Sequence, residues 1–103
     1  MKKRAYIAGK LNDTAVNYLK NVHQMIHAAD VLRDKGYSVF VPCLDLLLGI
    51  YAGDWEYDDY ADNNMAWLEV ADEVYVLPNW ENSKGTRAEI ARAEELKIPI
   101  IYL

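Results

Sequence analysis

Residues Ala71 to Ala93, ADEVYVLPNWENSKGTRAEIARA, constrain the chain most. The apolar run Val74-Tyr75-Val76-Leu77 is stopped by Pro78, and a polar loop with Ser83 and Gly85 follows. A helical pattern then opens at Thr86 and carries Glu89 in its first turn. This spacing predicts a strand, a loop and a helix N-terminus. Such a junction leaves backbone N–H groups unpaired beyond the strand's C-terminal end, where they suit an anion, and a carboxylate held beside them suits chemistry on an electrophilic carbon.

The rest of the chain supplies partners for that strand. Arg4 to Gly9, RAYIAG, is a short apolar run ending in glycine. Asn12 or Asp13 can cap a long helix to about Lys35, with Val16, Leu19, Val22 or His23, Ile26, Ala29 and Arg33 at helical spacing. Gly36 stops it, and Tyr37 to Val41 is β-branched and aromatic, so a βαβ unit with a right-handed crossover is predicted. From Cys43 to Asn63 the pattern loosens into a loop with one short helix, expected to cover the site because so long a connection in a small domain is usually functional, and a helix resumes from about Tyr60 to Ala71. The strand Glu73 to Leu77, a helix from Gly85 to Lys97 and a last buried strand, Ile98 to Leu103, complete the chain. The expected fold is a three-layer α/β/α sandwich whose parallel sheet of four strands is ordered 2-1-3-4, with ligands bound outside the strands' carboxyl ends.

With 103 residues, residues 1–103 are expected to form one domain with a core of its own. A net charge of −5 argues against a nucleic-acid duplex as partner, since that surface rewards clustered Lys and Arg. One cysteine, Cys43, excludes an internal disulfide and fits a reducing, cytoplasmic compartment. Met1-Lys2-Lys3-Arg4 leads into only five apolar or small residues before Lys10, too few for a secretory leader, and no run reaches the roughly 20 apolar residues of a membrane span. His23 and His27 stand at i, i+4, but no third ligand accompanies them, so neither a metal nor a cofactor is expected. The acidic run Asp54, Glu56, Asp58, Asp59, Asp62 does not match a calcium loop and reads as a solvated helix start. The aromatic residues between Tyr51 and Trp67 exceed what one small core needs, which points to a homo-oligomeric interface over Leu46 to Trp67.

Several of these residues also carry a resemblance. Tyr6-Ile7-Ala8-Gly9, Trp67-Leu68 before Ala71-Asp72, and Ser83-x-Gly85-Thr86-x-x-Glu89 followed by Ala93 and Lys97-Ile98-Pro99 resemble the nucleoside 2-deoxyribosyltransferase family. Its relatives include deoxynucleoside 5′-monophosphate N-glycosidases and small phage and bacterial domains; Pro78 to Glu89, with Trp80-Glu81-Asn82-Ser83-Lys84-Gly85, is most similar to those small domains. The resemblance spans about two thirds of the chain, Leu44 to Asp62 being unmatched. It implies a small-molecule deoxynucleoside or deoxynucleotide as partner, attacked at its anomeric carbon by Glu89. It also implies a 5′-phosphate bound at Ser83, Tyr6 against the sugar or the carboxylate, and an oligomer in which a neighbour completes the site. Asn64 stands where the family carries an aspartate that handles the proton of the leaving base, and asparagine cannot do this at neutral pH. Asp58, Asp59 or Asp62 can replace it only if the loop folds inward. Lys10, after Gly9, adds positive charge where relatives tend to have a small hydroxyl residue.

Each candidate has a plainer role beside the functional one. Thr86-Arg87-Ala88-Glu89 fits a capping box, in which Glu89 reaches back to the N-cap N–H. Ser83 can be an ordinary loop or cap serine, Tyr6 a core residue, and Trp80 either a stacking platform for a base or a lid on the core. Asp72 reads as structural. Three functions therefore stand: an enzyme working through Glu89, a nucleotide-binding module without turnover, and an interaction protein using its Tyr- and Trp-rich loop.

Overall fold

The computed structural model describes residues 2–103. Four parallel strands, β1 (Arg4–Ala8), β2 (Ser38–Phe40), β3 (Glu73–Val76) and β4 (Ile100–Tyr102), form one sheet in the order β2-β1-β3-β4. Four helices cover it: α1 (Ala15–Asp34), α2 (Asp45–Ala52), α3 (Tyr57–Leu68) and α4 (Lys84–Glu95). Single 3₁₀ turns at Pro42–Leu44 and Trp80–Asn82 follow β2 and β3. Alternation along the central strands builds a core on each face. Ala5, Ile7, Tyr75 and Leu77 pack with Met25 and Leu32 of α1, while Tyr6, Ala8, Val74 and Val76 pack with Leu68 of α3 and with Ile90 and Ala93 of α4. This is the expected three-layer sandwich, with the strands' C-terminal ends on one rim.

Four sequence expectations need correction. The buried stripe of α1 is Met25 and Leu32, with Val22 and Ala29 beside it, whereas Val16, Leu19 and Ile26 are 64%, 67% and 46% exposed. A 20-residue helix runs about 30 Å and the five-residue β1 about 17 Å, so the first turns of α1 overhang the sheet and meet no strand. Its cap is Thr14, whose Oγ1 accepts from the Asn17 N–H at 3.5 Å, while Asp13 accepts from the Thr14 N–H at 2.7 Å. The final strand is a half-buried edge, with Tyr102 53% exposed, because it pairs with β3 alone.

The fourth correction shapes the site. The segment expected as a loop is mostly helical, and only Gly53 to Glu56 separates α2 from α3. Gly53 closes α2 in the left-handed region (φ 81°), and the Glu56 N–H donates to Asp59 Oδ2 at 2.8 Å, fixing the start of α3. The acidic run is thus a solvated helix start. Gly49 lets the two helices close: a Cβ there would lie 1.7 Å from Tyr60 Oη, so any larger residue would expel the tyrosine. No described helix is long and apolar enough to cross a membrane.

Candidate active site

A cleft of about 650 Å³ opens on the rim at the C-terminal ends of β1 and β3. Its floor includes Gly9 and Lys10 after β1, and Ser83, Gly85, Thr86 and Glu89 at the start of α4. The overhanging part of α1 contributes Tyr18, and Trp55, Tyr57, Tyr60 and Asn64 form a wall on the α3 side. Gly9 is required by packing, since a Cβ would lie 2.7 Å from Leu77 Cδ1 in the core.

The helix N-terminus is built by Ser83, the residue that caps α4. Its Oγ accepts from the Thr86 N–H at 3.2 Å and from Thr86 Oγ1 at 2.9 Å, and Thr86 is buried. With both acceptor positions used, the Ser83 O–H is left to donate. The first-turn N–H groups of Lys84 and Gly85 have no intrahelical partner. Three donors therefore face the cleft where positive helix-end charge gathers, which is the composition an anion needs. Tyr57 reaches across from α3: its hydroxyl oxygen lies 3.2 Å from the place a Gly85 Cβ would occupy.

Because α4 starts at Lys84, Glu89 sits in its second turn and makes no cap. It accepts a hydrogen bond from Tyr6 Oη, whose ring is fully buried on β1. Burial pushes the Glu89 carboxyl up to about 7, against which the Tyr6 hydrogen bond acts. Burial also raises the Tyr6 phenol, and the neighbouring Glu89 charge adds to it. Tyr6 stacks on Phe40 with centroids 5.5 Å apart, and Phe40 on Trp67 at 5.6 Å, so the phenol's direction is fixed by an aromatic column. A carboxylate with a high proton affinity, aimed by a locked donor, can serve as a nucleophile or as a base near neutral pH.

The remaining candidates divide. Asn64 lines the cleft, and its Oδ1 is buried without a hydrogen-bond partner among the described residues. Asp58, Asp59 and Asp62 are exposed and do not line it. Trp80 lies outside it: the indole packs against Tyr102 at 5.5 Å and covers the core beneath α4. Asp72 is structural, its Oδ2 accepting from the Arg4 N–H at 2.7 Å at the start of β1. No group of three His, Cys, Asp or Glu that could hold a metal stands together among the described residues.

Two features of the site are not evident from local sequence pattern. Trp55 and Tyr60 meet edge to face at 4.9 Å and supply the aromatic wall; the sequence points to a segment covering the site here, but its surplus of aromatics does not say which of them face the cleft. Asp45 opens α2, accepts from Asn63 Nδ2 at 3.1 Å, and has its carboxyl raised by burial; its charge also reaches Tyr6. An aspartate three residues after Pro42, at the end of an apolar strand, is the sign of a helix start on the rim.

Comparison with known proteins agrees with this fold. The fold matches the 2-deoxyribosyltransferase of the psychrotolerant bacterium Bacillus psychrosaccharolyticus, with a TM-score of 0.72 and 25% identity, over 96% of this chain and 70% of that one. That enzyme is described as a biocatalyst for the synthesis of antiviral and antitumoral nucleosides. No curated protein matches the chain. The architecture is that of the nucleoside 2-deoxyribosyltransferase-like proteins. Within it, the chain belongs to the family described as Domain of unknown function (DUF4406), whose model matches residues 3–102.

Proposed function

We propose that the protein cleaves or exchanges the N-glycosidic bond of a deoxynucleoside or its 5′-monophosphate, with Glu89 as nucleophile. One observation carries the proposal: Glu89 is released from any capping duty and is aimed into the cleft by buried Tyr6. In the reaction a Glu89 oxygen bonds to C1′ of the sugar while the C1′–N bond breaks, its electron pair leaving with the base. Water or a second base then displaces the carboxylate from C1′, as in retaining glycosidases. The base would lie against the aromatic wall of Trp55 and Tyr60, and a 5′-phosphate at Ser83, Lys84 and Gly85. Incubation with the deoxynucleosides and their monophosphates, followed by chromatography for free base, tests it; absence of release from all of them would reject turnover.

A second function, binding without turnover, is favoured by Asn64, which faces the cleft where a proton donor for the leaving base is needed. Both functions share the anion site. Ser83→Ala is expected to weaken monophosphate binding about tenfold and nucleoside binding little, because one charge-assisted hydrogen bond is lost. Calorimetry that finds nucleosides and monophosphates bound equally by the wild type would remove the phosphate from the proposal.

The exposed face of α2 suits self-association. Leu47, Leu48, Ile50 and Tyr51 are 69%, 51%, 65% and 90% exposed, and the helix carries no charge after Asp45. An uncharged patch of this kind is commonly an interface. A dimer or larger assembly is expected by light scattering at micromolar concentration, with Leu47→Glu and Tyr51→Glu together giving a monomer; a monomeric wild type would refute it.

A further inference from the structure

A second cavity of about 630 Å³ adjoins the cleft, and Lys10 and Asn82 line both. Its other walls come from α1, including Lys20, His23 and Gln24, and from Asp13 before α1 and Asn79 after β3. Asp13 is its one carboxylate, and it is already engaged: it pairs with Lys10 at 3.4 Å and accepts from the Thr14 N–H at 2.7 Å and Asn17 Nδ2 at 3.4 Å. Neither Lys20 nor His23 has an ion-pair partner among the described residues. In a chain of net charge −5, this leaves two lysines, an imidazole and several side-chain amides around a polar groove that begins beside the anion-binding turn. Such a set of cationic and amide donors is well suited to a chain of phosphates.

We infer that this groove takes the β- and γ-phosphates of a nucleoside 5′-di- or triphosphate whose first phosphate sits at Ser83 to Gly85. The inference rests on the nucleotide site proposed above and names its substrate class more narrowly. Asn82, adjacent to Ser83 in the chain, marks the passage from one cavity to the other. Lys10 serves both, leaving Asp13 to bond the tail through its second phosphate. Lys20 and His23 then meet the far end. Nothing in the groove resembles a base-binding wall, since its lining contains no Trp, Tyr or Phe.

Calorimetry with the 5′-mono-, di- and triphosphates of the four deoxynucleosides, without divalent cations and at about 0.15 M salt, tests the assignment. Triphosphates are expected to bind about tenfold more tightly than monophosphates, the gain of one further charge-assisted contact. Lys20→Glu combined with His23→Glu should erase that gain and leave monophosphate affinity within about twofold. Lys35→Glu, a lysine-to-glutamate reversal at the distant end of α1, should leave the gain in place. Equal affinities for mono- and triphosphates overturn the groove while leaving the nucleotide site standing. A gain that survives the double variant, or is lost equally in Lys35→Glu, overturns it as well. Inorganic tripolyphosphate reads the groove independently: binding that the double variant abolishes supports it even if no nucleotide binds, an outcome that would reject the site proposed above instead.

Discussion

Glu89→Gln is expected to abolish base release and, at pH 8, to leave the protein more stable than the wild type. Glutamine keeps the shape of the side chain, and its carbonyl oxygen can still accept from Tyr6 Oη, so the packing around β1 and α4 is preserved. The carboxyl itself is held near 7 in the folded protein, against an ordinary value of 4.5, chiefly by burial. The folded state therefore binds this proton more tightly than the unfolded chain. That contribution to stability is fully present below about pH 4.5, and it is lost as pH rises through about 7. The loss amounts to about 3 kcal/mol, since one pKa unit corresponds to roughly 1.4 kcal/mol. Glutamine has no proton to lose, so urea melts of the variant should lack this decline between pH 5 and 8. Retained turnover in the variant would exclude the covalent mechanism. A variant less stable than the wild type at pH 8 would exclude the account of a carboxylate held at a cost in stability for its reactivity. The same ionisation sets activity: base release should rise with pH through about 7 as Glu89 becomes the nucleophilic carboxylate.

How far the sequence revealed this site depends on the range over which each feature is decided. The strand Val74 to Leu77, Pro78 and the turn to α4 are local patterns, and both the sheet order and the cluster of Gly9, Lys10, Ser83, Gly85, Thr86 and Glu89 on one rim follow from them. Glu89's surroundings were ambiguous because Ser83 and Thr86 are both good caps; a helix starting three residues earlier changes Glu89 from a capping residue into one facing the cleft. No local pattern says which is used. The buried stripe of α1 departs from its helical spacing for a related reason: its first turns project past the strands, and the sequence does not reveal where a neighbour ends. Trp80 closes the core and does not offer a platform for a base, and Trp55 and Tyr60 form the cleft wall, because aromatic residues satisfy a core, an interface or a ligand equally well until tertiary packing chooses. Asp45 and α2 lie in the stretch without a resemblance, where a short apolar run fits a loop or a helix equally well.

The second large effect is expected from Asn64→Asp, which should create base release if the wild type has none and raise it about 10²-fold or more if it has some, the usual contribution of a general acid. The change is nearly isosteric, and the position lines the cleft from α3. The buried, unpartnered Oδ1 of Asn64 shows that its surroundings supply no donor to stabilise an anion there. An introduced carboxyl would therefore hold its proton to a pH well above the usual carboxylate range, which is the state a leaving base requires. Its pH profile should be bell-shaped: an ascending limb as Glu89 ionises and a descending limb as the new acid loses its proton. If the two limbs overlap, activity should peak near neutrality at less than its full height. The gain must vanish when Glu89→Gln is added, because protonating the base without a nucleophile leaves the sugar nothing to bond. Asn64→Asp that binds deoxynucleotides but releases no base would establish the family's fold as a binding module in this chain. A gain that survives loss of Glu89 would move the chemistry to another residue, with Asp45, a half-buried carboxyl near enough to act on Tyr6 through its charge, the first to replace by asparagine.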